Sequence, residues 1–150
     1  MGHKLTAVVI DDDPGVRALI ARTLRSEGYH VRAFGSTEDA DGPVRDELPS
    51  IMIVDKDLPG SSGVQWMARL RTDLYDLTPP SALVSGGLED TGDSDRALFD
   101  GLLAKPFRVD ALRELIRDLA AKARHRRRRS DQRLRAAVRE LPSHRRSGTE

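Results

Sequence analysis

Three carboxylates stand in a row where an apolar run ends, in VVIDDDPGV (residues 8–16): Asp11, Asp12 and Asp13. Like charges this close repel, and each one drawn out of water costs more. Either the acids form a solvated turn with a helix cap, or something cationic sits among them. Two more acids, Asp55 and Asp57, follow a second apolar run in IMIVDKDLPGSSG, while Ser85 and Lys105 close two later ones in ALVSGG and LLAKPF. Carboxylates suit a hard divalent cation such as Mg²⁺, which takes oxygen ligands and keeps several waters. A carboxylate is also able to attack an activated phosphoryl group. That transfer requires charge to be neutralised and groups positioned, mostly by a metal ion and a cationic side chain.

These residues do joint chemistry only if the fold collects them. Leu5 to Ile10 reads as a fully buried strand, and Pro14 suits a first helical position with Asp12 or Asp13 as its cap. Val16, Leu19, Ile20, Thr23 and Leu24 keep helical spacing up to a stop at Gly28. Tyr29 to Phe34 reads as a short strand. Ser36 or Thr37 caps a second helix with a thin apolar face, interrupted at Gly42-Pro43. Ile51 to Val54 is a third strand, and Val64, Met67, Leu70 and Leu74 mark a third helix. A fourth strand follows Pro79-Pro80 over Ser81 to Val84. The Gly- and Asp-rich GGLEDTGDSDRALFDG predicts a poor fourth helix. Leu102 to Ala104 is the last strand, and a clear helix begins near Phe107, with Val109, Leu112, Leu115, Ile116 and Leu119 on one side. Five strand-then-helix units with apolar strands imply an α/β fold, a parallel sheet covered on both faces. Ligands in such sheets sit beyond the carboxyl ends of the strands. Asp11, Asp12, Asp55, Asp57, Ser85 and Lys105 all fall at such ends.

Here the chain resembles the response-regulator receiver family, through VVIDDDP, IMIVDKDLPGSSG, ALVSGG and LLAKPF, spaced as that family spaces them over roughly residues 4 to 120. The resemblance implies a flavodoxin-like doubly wound sheet of five parallel strands in the order 2-1-3-4-5. It also implies that Asp12 is a direct Mg²⁺ ligand, that Asp11 acts through water, and that Asp55 is both phosphoacceptor and metal ligand. Asp57 contributes its backbone carbonyl to the metal, Lys105 pairs with the phosphoryl oxygens, and Ser85 donates a hydrogen bond to one of them. Asp13 matches no pocket position and is assigned to capping. Taken singly, each stretch reads as a capped turn, a loop, a glycine turn or a surface lysine. Taken together, those readings need four coincidences at one sheet edge.

One position departs from the family pattern: Leu102 stands where a Tyr or Phe usually swings inward after phosphorylation. The resemblance implies a histidine kinase or phosphotransfer protein as phosphodonor. With no effector domain in the remaining residues, it implies a stand-alone receiver acting by protein–protein contact, a signalling phosphoprotein rather than an enzyme. Three rivals are a haloacid-dehalogenase-type phosphatase, a pseudo-receiver and a nucleic-acid-binding regulator. The first is suggested by Asp55-Lys56-Asp57, but its motif belongs on the first strand with a Thr soon after. The second is favoured by Leu102 and opposed by the intact acids.

Composition adds limits. The 150 residues carry a net charge of +1 that conceals an asymmetry: −7 over residues 1–121 and +8 over 122–150. The boundary near Lys122 divides an acidic receiver, 1–121, from a basic, partly helical or disordered tail, 122–150. In the tail a weak stripe at Leu134, Val138 and Leu141 suggests a short helix capped by Ser130 and stopped at Pro142. Its field suits an acidic partner, self-association or sequence-independent contact with nucleic acid. The absence of cysteine excludes disulfides and thiolate chemistry, and His3, His30, His125 and His144 lack ligand spacing. No export signal or membrane span is visible, so a cytoplasmic protein is expected.

Overall fold

Alternation along the strands decides which helix covers which face. In β1 (Thr6–Ile10) and β3 (Ile51–Asp55), Ala7, Val9, Ile51 and Ile53 point one way while Val8, Ile10, Met52 and Val54 point the other. All eight are fully buried, so both faces must be covered. The computed structural model describes residues 4–142, so His3, His144 and the last eight residues of the basic tail lie outside the described residues. Its sheet runs in the order β2-β1-β3-β4-β5, every neighbouring pair parallel, with β2 at His30–Phe34, β4 at Ser81–Ser85 and β5 at Gly101–Ala104. The expected flavodoxin-like order is the observed one.

One face is covered by α1 (Pro14–Ser26) and α5 (Val109–Arg139), whose Ile20, Leu24, Leu112, Ile116 and Leu119 pack on Val9 and Ile53. The other is covered by α2 (Thr37–Asp46), α3 (Gly63–Leu74) and the single turn α4 (Asp93–Arg96). There Val44, Trp66, Met67 and Leu70 pack on Met52 and Val54, and the poor fourth helix is indeed one turn. α2 does not break at Gly42-Pro43. Pro43 sits inside it and forfeits one backbone hydrogen bond. Buried Ala40 and Val44 hold the turn on the sheet, and the Arg32 guanidinium donates to the Pro43 and Glu47 carbonyls at its end. No helix among the described residues is long and apolar enough to cross a membrane.

The largest departure from expectation is α5. Instead of a second short helix capped by Ser130, one helix of 31 residues runs from Val109 to Arg139, with Ser130 in its interior. No Gly or Pro interrupts that span, and arginine is a good helix former. Packing of the first turns on the sheet supplies the costly nucleus, so later turns only propagate it. A strand of five residues spans roughly 17 Å and the helix rises about 1.5 Å per residue. Crossing the sheet therefore takes about twelve residues, and the helix continues beyond its amino edge. The charge boundary at Lys122 falls within this helix. Ala123 is buried, Lys122 Nζ donates to the Asp100 carbonyl at 2.7 Å, and Arg126 Nη1 donates to the Thr78 carbonyl at 2.6 Å.

Candidate functional site

Register brings the acids together. Ile10 lies opposite Val54, so the next residues, Asp11 and Asp55, emerge side by side at the carboxyl edge. Ser85 pairs with Ala104, so Lys105 leaves the same edge two strands from β3. Its ammonium reaches back to Asp11 Oδ2 at 2.8 Å and Asp55 Oδ1 at 3.4 Å. Asp11 and Asp55 are almost fully buried, at 1% and 4% exposure, whereas Asp12 is exposed. One carboxylate oxygen each from Asp11, Asp12 and Asp55 lies within 4.8 Å of the others. This donor set is all oxygen, and two of its members crowd against a single ammonium. It fits a hard divalent cation such as Mg²⁺.

Local structure holds each group. Asp11 Oδ1 accepts from the Asp13 N–H at 2.9 Å, and the Arg17 guanidinium donates to the Asp11 carbonyl at 2.8 Å. Asp13 caps α1, its Oδ1 accepting from the N–H groups of Gly15 and Val16, and so takes the capping role read from the sequence. Asp57 offers its N–H to Asp55 Oδ1 at 3.4 Å, and its carboxylate stands outside the acid cluster. Ser85 Oγ is buried and accepts from the Gly87 N–H at 3.0 Å; its own O–H donates to no group among the described residues. The Lys105–Pro106 peptide is cis. Leu102 is half-buried against the α3 side of the sheet.

Four positioning residues escaped the sequence reading. Arg17 braces the end of β1 from one turn into α1. Ser62 and Gln65 form a reciprocal capping box that starts α3, a pattern that S-x-x-Q would have signalled. Gly63, the first residue of α3, lies so close to β3 that a Cβ there would meet the Asp55 carbonyl oxygen at 2.2 Å. No sequence rule reports such an approach.

Electrostatics make the site strained without a cation. Burial first, then the charge on Asp11, pushes the Asp55 carboxyl up to about 6 against the opposing pull of Lys105. Burial acts to lower the Lys105 ammonium, but its bonds and charge contacts with Asp11 and Asp55 prevail and hold it above the ordinary lysine value. The sign for stability follows from linkage. The folded Asp55 keeps its proton to about 6, whereas the unfolded carboxyl loses it near 4. The folded state therefore binds more protons between those values, and stability present below pH 4 is lost as pH rises through 6. The loss is on the order of 3 kcal/mol. Urea unfolding in EDTA is expected to show Asp55→Asn gaining that much over wild type from pH 4 to pH 7. A difference independent of pH would refute the assignment.

A family model described as response regulator receiver domain matches residues 7–117. Response regulator Rre1 of Synechocystis is 29% identical over 127 residues, covering 81% of this chain and 54% of its own length. The phosphate regulon transcriptional regulatory protein PhoB of Pseudomonas aeruginosa is 30% identical over 118 residues, 77% of this chain and 50% of its own. The chain thus spans about half the length of the curated relatives it matches. Among solved structures, response regulator protein TrrA of Thermotoga maritima, in complex with Mg(2+)-BeF, superposes with a TM-score of 0.70 at 25% identity, covering 77% of this chain and 98% of that one.

Proposed function

Because this chain belongs to the response regulator receiver domain family, we propose that it accepts a phosphoryl group on Asp55 from a histidine kinase or phosphotransfer protein, and that protein–protein contact reads the modified state. The observation that carries the proposal is the Lys105 ammonium shared between Asp11 and Asp55 at 2.8 and 3.4 Å, at the edge where β1, β3, β4 and β5 end. An oxygen of ionised Asp55 attacks phosphorus, the bond to the leaving group breaks, and the leaving group departs with the electron pair. Lys105 is already aimed at the carboxylate that carries the new group, so it meets the phosphoryl charge without reorganising. The buried Ser85 O–H is available to donate to a phosphoryl oxygen. Asp11, Asp12, Asp55 and the Asp57 carbonyl would hold Mg²⁺, which when bound offsets the charge of the acids and the phosphoryl group. The cellular setting proposed is the cytoplasm, where such donors act.

Incubation with Mg²⁺ and a small phosphodonor, followed by intact mass, tests the reading. A single added phosphoryl group supports the receiver. An unmodified chain would favour the pseudo-receiver reading, for which Leu102 in place of an aromatic residue is the specific observation. Steady turnover of phosphate esters would favour a phosphatase.

The unit that carries this chemistry is proposed to be residues 1–121, with 122–150 as a basic tail offering contact to an acidic partner or nucleic acid. Truncation after Ala121 should leave a chain that folds and is modified at the wild-type rate. It removes the buried Ala123 and the Arg126 bonds, a loss of about 2 kcal/mol that lowers Tm by roughly 5–10 °C. An insoluble or unmodifiable truncation would move the boundary into the helix beyond Lys122.

A further inference from the structure

A second concave site lies at the opposite edge of the sheet from the acids, where α5 passes the end of α3. It encloses about 210 Å³ and is lined by Arg71, Arg126, Arg129 and Arg133, with Tyr75 and Asp76 at the α3 side. Arg71 and Arg126 are braced: each pairs with an oxygen of Asp100 at 3.3 Å, and each donates to a main-chain carbonyl, of Leu98 and Thr78 respectively. Arg129 and Arg133 make no hydrogen bond or ion pair among the described residues, although the spacing 126, 129, 133 stacks all three arginines on one helix face. Like charges three and four residues apart destabilise a helix, and an anion between them removes that penalty.

Tyr75 adds an independent feature. It is the one non-glycine residue with positive φ among the described residues, at 48°, and the residue is 75% exposed. Such a backbone costs about 1–3 kcal/mol and persists where its surroundings enforce it. Here the Tyr75 carbonyl accepts from both the N–H and the hydroxyl of Thr78, at 3.1 and 2.8 Å, which presents the ring beside the arginines.

We propose that this cavity is a binding site for a small diphosphate-bearing anion, separate from the acidic pocket. Guanidinium forks match phosphate oxygens two at a time, and two braced and two unpartnered forks suit a ligand with more than one phosphate group. Asp76 and Asp100 leave the site a surplus of positive charge. Four guanidinium groups converge on this one concavity. An occupied site would tie the α5 extension to the end of α3, since each contributes part of the wall.

The test uses the full chain in EDTA at constant ionic strength, so that no metal bridges the anion to the acids. Inorganic pyrophosphate at 5 mM is expected to raise Tm by about 5 °C or more over matched sodium chloride. The double variant Arg129→Ala/Arg133→Ala should lose at least nine-tenths of that shift. Arg128→Ala/Arg135→Ala, with the same charge loss on a different face, should keep it. ADP as a second probe separates the sources: tighter binding than pyrophosphate, lost in Tyr75→Ala, indicates a nucleotide, and equal binding indicates the diphosphate alone. Absence of a shift, or equal loss in both double variants, overturns the site. So does tighter binding of a short DNA duplex than of pyrophosphate, when that binding is lost only in Arg128→Ala/Arg135→Ala.

Discussion

Asp55→Ala is expected to take up no phosphoryl group under conditions that modify the wild-type chain fully, and Lys105→Ala to be slowed by about 100-fold. The two magnitudes differ for a physical reason. Removing Asp55 deletes the nucleophile, and the nearest alternative, Asp11, has both oxygens occupied, one by the Asp13 N–H and the other by Lys105. Removing Lys105 leaves the nucleophile in place but takes away the ammonium that would meet the developing phosphoryl charge. It also leaves two buried acids without their counterion. The protein should then need a higher Mg²⁺ concentration to reach the same rate, which a metal titration followed by intact mass would reveal. Modification of Asp55→Ala at the wild-type rate would place the acceptor elsewhere.

Gly63→Ala is expected to be the most damaging single-methyl change near the site. The added carbon would stand 2.2 Å from the Asp55 carbonyl oxygen and 2.8 Å from Val54 Cγ1. One obstacle is main chain and the other is fixed in a close-packed core, so neither yields by a side-chain rotation. Either α3 lifts off β3 or the end of β3 moves. The cost should be about 3 kcal/mol in unfolding free energy. A shift of Asp55 by about 1 Å should also slow phosphoryl uptake by roughly 100-fold. Gly92→Ala is the control, since a Cβ there meets nothing within 4 Å. Equal stability of the two variants would contradict the close approach.

Most of the sheet was legible because its strands are unbroken apolar runs ended by acids, a hydroxyl and a lysine. The residues that finish the strands also meet at one edge, so the placement of Asp11, Asp55, Ser85 and Lys105 together was legible in the sequence. Asp13 was separable from its neighbours because Pro14 marks the helix start. What stayed hidden depends on distances between chain-remote groups. Gly63 looked like one more glycine in DLPGSSG, and the reach of Lys105 across two strands follows from the pleat. The α5 extension was misjudged for another reason. Its outer turns carry only a weak stripe, whose Leu134 and Val138 stay exposed, and they are helical because the preceding turns already are. The pairing of Arg71 and Arg126 with Asp100 joins three chain-remote groups and has no local sequence signal.

The unbroken α5 also has a mechanical consequence. From Arg124 to Arg139 the helix runs about 24 Å past the last turn packed on the sheet. It therefore acts as a lever arm whose fulcrum is the contact of Leu112, Ile116 and Leu119 with the strands. A tilt of only about 5° at that fulcrum would carry the tip through roughly 2 Å, a step comparable to a helix shift at a subunit interface. The arginine contacts around Asp100 grip the arm just beyond the fulcrum, where a small force has the least leverage and a bound anion the most to stiffen.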